Sequence, residues 1–116
     1  MVEDRITDGK RIAQLLASEL TGLSVGPLGE VAVVDADPDA APSPGGTVAY
    51  GVAVGGERNG EVRIHPDRAV LSLAVDAETV PEGAERRDGR LVIPVESGAD
   101  VKQATDAVRA ALYGLS

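Results

Sequence analysis

Three aspartates at alternate positions, Asp35, Asp37 and Asp39, follow directly on the apolar run Val31-Ala32-Val33-Val34. Carboxylates at the end of a strand can attack a phosphoryl group, relay a proton or hold a divalent cation. The other side chains capable of chemistry are few. His65 is the only histidine and stands before Pro66, with Arg63 two residues earlier and so on the same face of a strand. Arg86 and Arg87 precede the turn signal Asp88-Gly89, and Arg58 adjoins a second such signal at Asn59-Gly60. Guanidinium groups at hairpin tips pair with acids across a strand or hold an anion. The chain has no cysteine, which removes thiolate nucleophiles, disulfides and thiolate metal sites.

Val31 to Asp37 resembles the first motif of the haloacid-dehalogenase-like phosphatases. That resemblance implies Asp35 as nucleophile, Asp37 as acid/base and a requirement for Mg²⁺. Pro38-Asp39 stand where that family has Gly-Thr or a close variant, and the likeness ends there. Asp35 to Pro38 is also similar to the Asp-x-Asp-Pro segment of partition-type ATPases, but no Gly-rich loop ending in Gly-Lys-Thr exists to cradle phosphates. Read as a calcium loop, the run has Ala40 at the sixth position in place of Gly and Gly46 at the twelfth in place of Glu. A solvated acidic loop is the leading expectation, with a loosely held cation on Asp35, Asp37 and Asp39 as its alternative. A lone histidine lacks the orienter and nucleophile that catalysis needs, so His65 is expected at the surface or at a dimer edge.

The elements that must position these residues follow from periodicity and turn chemistry. Residues 7–22 read as an amphipathic helix, with Ile12, Leu15, Leu16, Leu20 and Leu23 on one face, Thr7 or Asp8 as cap and Gly22 past the end. Val31 to Val34 reads as a strand, and Asp35 to Gly46 as an exposed loop rich in Asp, Pro and Gly. Thr47 to Val54 is expected to place Val48, Tyr50, Val52 and Val54 on one face and Ala49, Gly51 and Ala53 on the other. A hairpin at Asn59-Gly60 would lead into a strand at Glu61 to His65, and Pro66-Asp67 into a strand at Ala69 to Val75. Asp76 to Gly83 reads ambiguously, as a short helical turn. Asp88-Gly89 joins Ala84 to Arg87 with Arg90 to Val95, where Pro94 marks an edge. Ser97 and Asp100 resemble a capping box opening a last helix with Val101, Ala104, Val108, Leu112 and Leu115 in one stripe.

The fold class expected is therefore α+β: a mostly antiparallel sheet of five or six strands, with an N-terminal and a C-terminal helix packed on it. Residues 1–116 read as one domain. The strands at 47–54 and 69–75 are apolar or small on both faces, whereas a sheet wetted on one side should alternate. Either each face carries one helix, or both helices share a face and a partner subunit covers the other.

Charge and side-chain size bound the rest. Nineteen acids oppose eleven bases for a net charge of −8, and nine of the bases are arginine, leaving only Lys10 and Lys102. The apolar side chains are small, with 17 Ala and 16 Val against 10 Leu, 4 Ile, 2 Tyr and no Phe or Trp. Such a charge self-repels in dilute buffer, and at molar salt the Debye length falls to about 3 Å. Acidic, lysine-poor and short of bulky hydrophobes is the pattern expected of salt adaptation. Its loop DADPDAAPSPGG, hairpin ERNGEVRIHPD and lead-in RRDGRLVIPVESGAD make the whole chain resemble the small uncharacterised proteins of haloarchaea. That likeness implies a lineage and no activity.

The expected function is that of a non-catalytic interaction or assembly module, self-associating as a homodimer, cytoplasmic and without cofactor. The alternative is a small-ligand or divalent-cation-binding domain, and third an Asp-x-Asp phosphatase. Arg63, His65, Arg86 and Arg87 are the candidate ligand or interaction residues. No signal peptide or membrane-length apolar run is visible, and no basic stripe or aromatic platform suggests nucleic acid.

Overall fold

The computed structural model describes residues 8–23, 29–74 and 83–113. Helix α1 (Gly9–Leu20) is followed by strands β1 (Val31–Val34), β2 (Thr47–Val54), β3 (Glu57–Ile64), β4 (Ala69–Leu73), β5 (Glu85–Arg87) and β6 (Arg90–Val95), then helix α2 (Asp100–Tyr113). The strands form one antiparallel sheet in the order β1-β2-β3-β4-β6-β5. This is the α+β class expected from hairpins flanked by terminal helices.

Helix α1 starts where Asp8, in extended conformation, accepts a hydrogen bond from the Lys10 amide at 2.9 Å. It ends at Thr21, and Gly22 takes a left-handed φ of 82° just beyond. Ile12, Ala13, Leu16 and Leu20 form its buried face. In α2, Val101, Ala104, Ala107, Val108, Ala111 and Leu112 are buried. The opening of α2 differs from a capping box, since the Asp100 carboxylate accepts from the Glu96 amide at 3.3 Å.

Both helices lie on the same side of the sheet. Helix α1 packs on β1, β3 and β4, α2 packs on β6, and the two helices pack on each other. The sheet supplies alternate residues to this core: Val52 and Val54, Val62 and Ile64, Leu71 and Leu73, and Leu91, Ile93 and Val95. Tyr50 is the one described aromatic in this core. With so few large side chains, close helix–sheet approach supplies the contact that aromatic bulk supplies elsewhere. Gly9 makes that approach possible, because a Cβ there would stand about on top of the His65 and Arg68 carbonyls of the β3–β4 turn.

Two expectations need correction. The β2–β3 turn falls at Gly55-Gly56, both with positive φ (59° and 89°), and Asn59-Gly60 lies inside β3. Two glycines serve a primed turn as well as Asn-Gly does. Gly60 serves close packing, since a Cβ there would collide with the Ser72 carbonyl of β4. In β2, a register shift between Val48 and Tyr50 sends Val48 to the face opposite Tyr50. The extra residue of a bulge reverses the alternation that strict period two would impose. Pro94, as expected, sits where β6 has no outer neighbour, because β5 pairs only with Arg90 to Val92. The turn expected at 76–83, apart from Gly83, lies outside the described residues, as do Thr7, Val75 and Leu115.

Candidate functional site: the open face of the sheet

The face opposite the helices is built by the remaining alternate residues. Cross-strand register sets Val34, Gly51, Glu61, Ser72, Val92 and Glu85 in one row running across all six strands. A second row holds Val48, Arg63, Val70 and Pro94. Toward the other end lie Ala32, Ala53 and Arg58, and then Arg90 beside Arg87. Among the described residues no element covers this face.

Its chemistry is mixed in a patterned way. Valines and Pro94 alternate with charged side chains, and four arginines (Arg58, Arg63, Arg87, Arg90) oppose two glutamates (Glu61, Glu85). The face thus has a balance of +2, which leaves −10 for the remainder of the chain. Acid and base sit two residues apart on the same strand: Glu61 accepts from Arg63 Nε at 2.6 Å and Glu85 from Arg87 Nη2 at 2.8 Å. Arg87 thus pairs along its own strand, in place of the cross-strand pairing expected, whereas Arg58 does pair across a strand. Arg58 turns toward β1 and bonds Asp35 at 3.0 Å, and Arg90 donates to the Ser72 hydroxyl at 3.0 Å. The ion pairs among these are wholly or partly exposed and add little to stability. Arg58 lies flat against Gly51.

The sequence-derived candidates separate. Arg63 and Arg87 belong to this face. Arg86 alternates to the other side of β5, where all three residues are exposed. His65, just past β3, places Nδ1 3.1 Å from the Pro44 carbonyl, while Arg63 Nη1 reaches the Gly46 carbonyl at 3.4 Å. Together they fasten the end of the 35–46 loop. The aspartates do not act as one group: Asp35, at φ 52°, faces Arg58, and Asp37 accepts the Asp39 amide at 3.0 Å in a local turn. Among the described residues no three His, Cys, Asp or Glu side chains gather as a metal site would need. Sequence reasoning missed Arg90 and Glu61. Their period-two spacing from Val92 and from Arg63 was the available signal.

A second feature lies on the helix side. Lys10, Ala13, Gln14 and Ala17 of α1, with Val33, Ala49, Tyr50 and the 36–40 loop, line a cleft of about 260 Å³. At its wall the Tyr50 hydroxyl donates to the Ala13 carbonyl at 2.7 Å. Burial pushes the Tyr50 phenol above its ordinary range, because the phenolate would lose its water. Lys10 Nζ donates to the Pro38 carbonyl at 3.0 Å, joining α1 to the acidic loop. No described helix is long and apolar enough to cross a membrane.

The model of a family of unknown function, DUF7993, matches residues 1–116. No curated protein and no solved structure matches the chain.

Proposed function

The chain belongs to the DUF7993 family, and from that premise we propose that it is a single-domain, non-catalytic assembly module whose open sheet face docks a second copy of itself. One observation carries the reading: both helices occupy one side of the sheet, and the other side carries valines at regular spacing with no covering element among the described residues. An antiparallel sheet tolerates one wet face, but that face is then ordinarily polar at alternate positions. Here Val34, Val48, Val70 and Val92 stand where polar residues would.

Charge permits a like partner. Two acidic remainders of −10 repel each other strongly, whereas the face carries a net charge of only +2, and its interspersed arginines and glutamates can meet opposite signs under two-fold symmetry. Six strands at the usual spacing and length make a flat area of roughly 500 Å², to which side-chain relief adds; standard interfaces bury ~800 Å² per partner. Interspersed Glu61 and Glu85 argue against a nucleic-acid partner, which would need an unbroken basic stripe. Molar KCl screens the −8 charge and strengthens apolar contact, so the module is suited to a salt-rich cytoplasm.

The test is Val70→Asp, which sets a carboxylate in the middle of the face without touching the core. Light scattering after size exclusion should give a dimer for the wild type and a monomer for the variant. A wild type that elutes as a monomer, or a variant that remains dimeric, overturns the proposal.

A further inference from the structure

The cleft between α1 and the acidic loop is independent of the open face and lies on the opposite side of the sheet. We propose that it binds a small zwitterion with a branched aliphatic tail, the chemistry of a free aliphatic amino acid. Its floor is apolar: Ala13, Ala17, Val33, Ala49 and Ile64, with the ring of Tyr50. The Tyr50 hydroxyl is already committed to the Ala13 carbonyl, so the floor offers a ligand hydrocarbon contact and no free hydroxyl.

The rim carries both signs. Asp37 lines the cleft, and its Oδ1 accepts the Asp39 amide; its second carboxylate oxygen is the group assigned to the ligand's ammonium. Lys10 spends one of its three donors on the Pro38 carbonyl and retains two for a carboxylate. Gln14, one helical turn on, adds an amide. A ligand bearing one charge would satisfy half of this rim and leave the other half facing it.

Lys10 is the telling residue. It is one of only two lysines in the chain, and it sits in the first turn of α1, which contains no acid. A cation there opposes the helix dipole, so its position runs against local preference and points to a task at the loop. Size sets the ligand class. A 150 Å³ apolar cavity accepts benzene, so about 260 Å³ corresponds to roughly ten non-hydrogen atoms, the size of leucine or isoleucine. That is smaller than the pockets of drug-sized ligands.

The small side chains of Ala13 and Ala17 leave the space open, so filling it is the direct test. The full chain is titrated with L-leucine to about 10 mM in ~2 M KCl, following Tm and calorimetric heat. Two analogues accompany it: 4-methylpentanoate, which lacks the ammonium, and 3-methylbutylamine, which lacks the carboxylate. Leucine should raise Tm by about 3 °C or more, with each analogue at least about fivefold weaker. Ala17→Leu should abolish binding. Lys10→Gln and Asp37→Asn, which keep a rim donor and the turn acceptor respectively, should each weaken leucine at least about fivefold. No response to leucine overturns the proposal, as does binding that survives Ala17→Leu or analogues that match leucine. If Ala17→Leu fails to fold by circular dichroism, the two rim variants decide the matter.

Discussion

Arg58 lies flat across Gly51: a Cβ at residue 51 would stand 2.8 Å from its Nε and 2.9 Å from its Cζ. The guanidinium continues past Val34 to Asp35. A glycine in the middle of a strand weakens it, so the gap has a use, and here it seats an arginine on the open face. Gly51→Ala should lift Arg58 off the sheet and break its contact with Asp35. Because Gly51 does not have a left-handed φ, the fold should tolerate the change with Tm altered by less than about 4 °C. Self-association should weaken at least about tenfold in sedimentation velocity, as expected when one well-placed interface arginine is lost.

The bond from Tyr50 to the Ala13 carbonyl ties the middle of β2 to α1 in a core that has few large side chains. Tyr50→Phe should cost about 1–2 kcal/mol by denaturant titration and leave the dimer intact. The pH dependence follows from the raised phenol. Its stabilising contribution is present below the unfolded value of 10.0 and is lost as pH rises above it, because the unfolded chain ionises and the folded one does not. The fall in stability above pH 10.0 should therefore be shallower in Tyr50→Phe than in the wild type.

Adjacent glycines in the loop before β2 should respond differently. Gly46 has φ 87°, and a Cβ there would meet the His65 imidazole at 3.0 Å; Gly45 has open space around it. Gly46→Ala should cost about 1–2 kcal/mol, whereas Gly45→Ala should stay within ~0.5 kcal/mol. Equal costs in thermal unfolding would contradict the view that His65 and Arg63 hold this loop in place.

Removing KCl should destabilise the chain. The Debye length lengthens from about 3 Å at 1 M to ~10 Å at 0.1 M, so the −8 charge repels itself across the whole domain. Stability should fall by on the order of 1–3 kcal/mol between these salts. A melting temperature independent of KCl would defeat salt adaptation.

The architecture was legible because its signals are local. Helical spacing from Ile12 to Leu20, the Asp8 cap and Asp88-Gly89 each specify their element without reference to the rest of the chain. Asn59-Gly60 carries a turn signal, but the glycine pair four residues earlier forms the turn, and Gly60 instead lets β3 approach the Ser72 carbonyl. Strict alternation places Val48 beside Tyr50, but a bulge, which leaves no mark in composition, turns it to the other face. The candidate site was half visible. Arg63 and Arg87 could be named from spacing, but the uncovered face depends on where both helices dock, and no single segment encodes that. The aspartate run is dense in carboxylates, yet Asp35 and Asp37 point to different partners.

Whether the open face pairs two copies can be read from sedimentation equilibrium of the wild-type chain in ~2 M KCl, over roughly a hundredfold range of concentration. The wild type should show a reversible monomer–dimer equilibrium that strengthens with salt, and Val70→Asp should shift it to monomer at unchanged secondary structure. A single species of monomer mass across the whole range would contradict it.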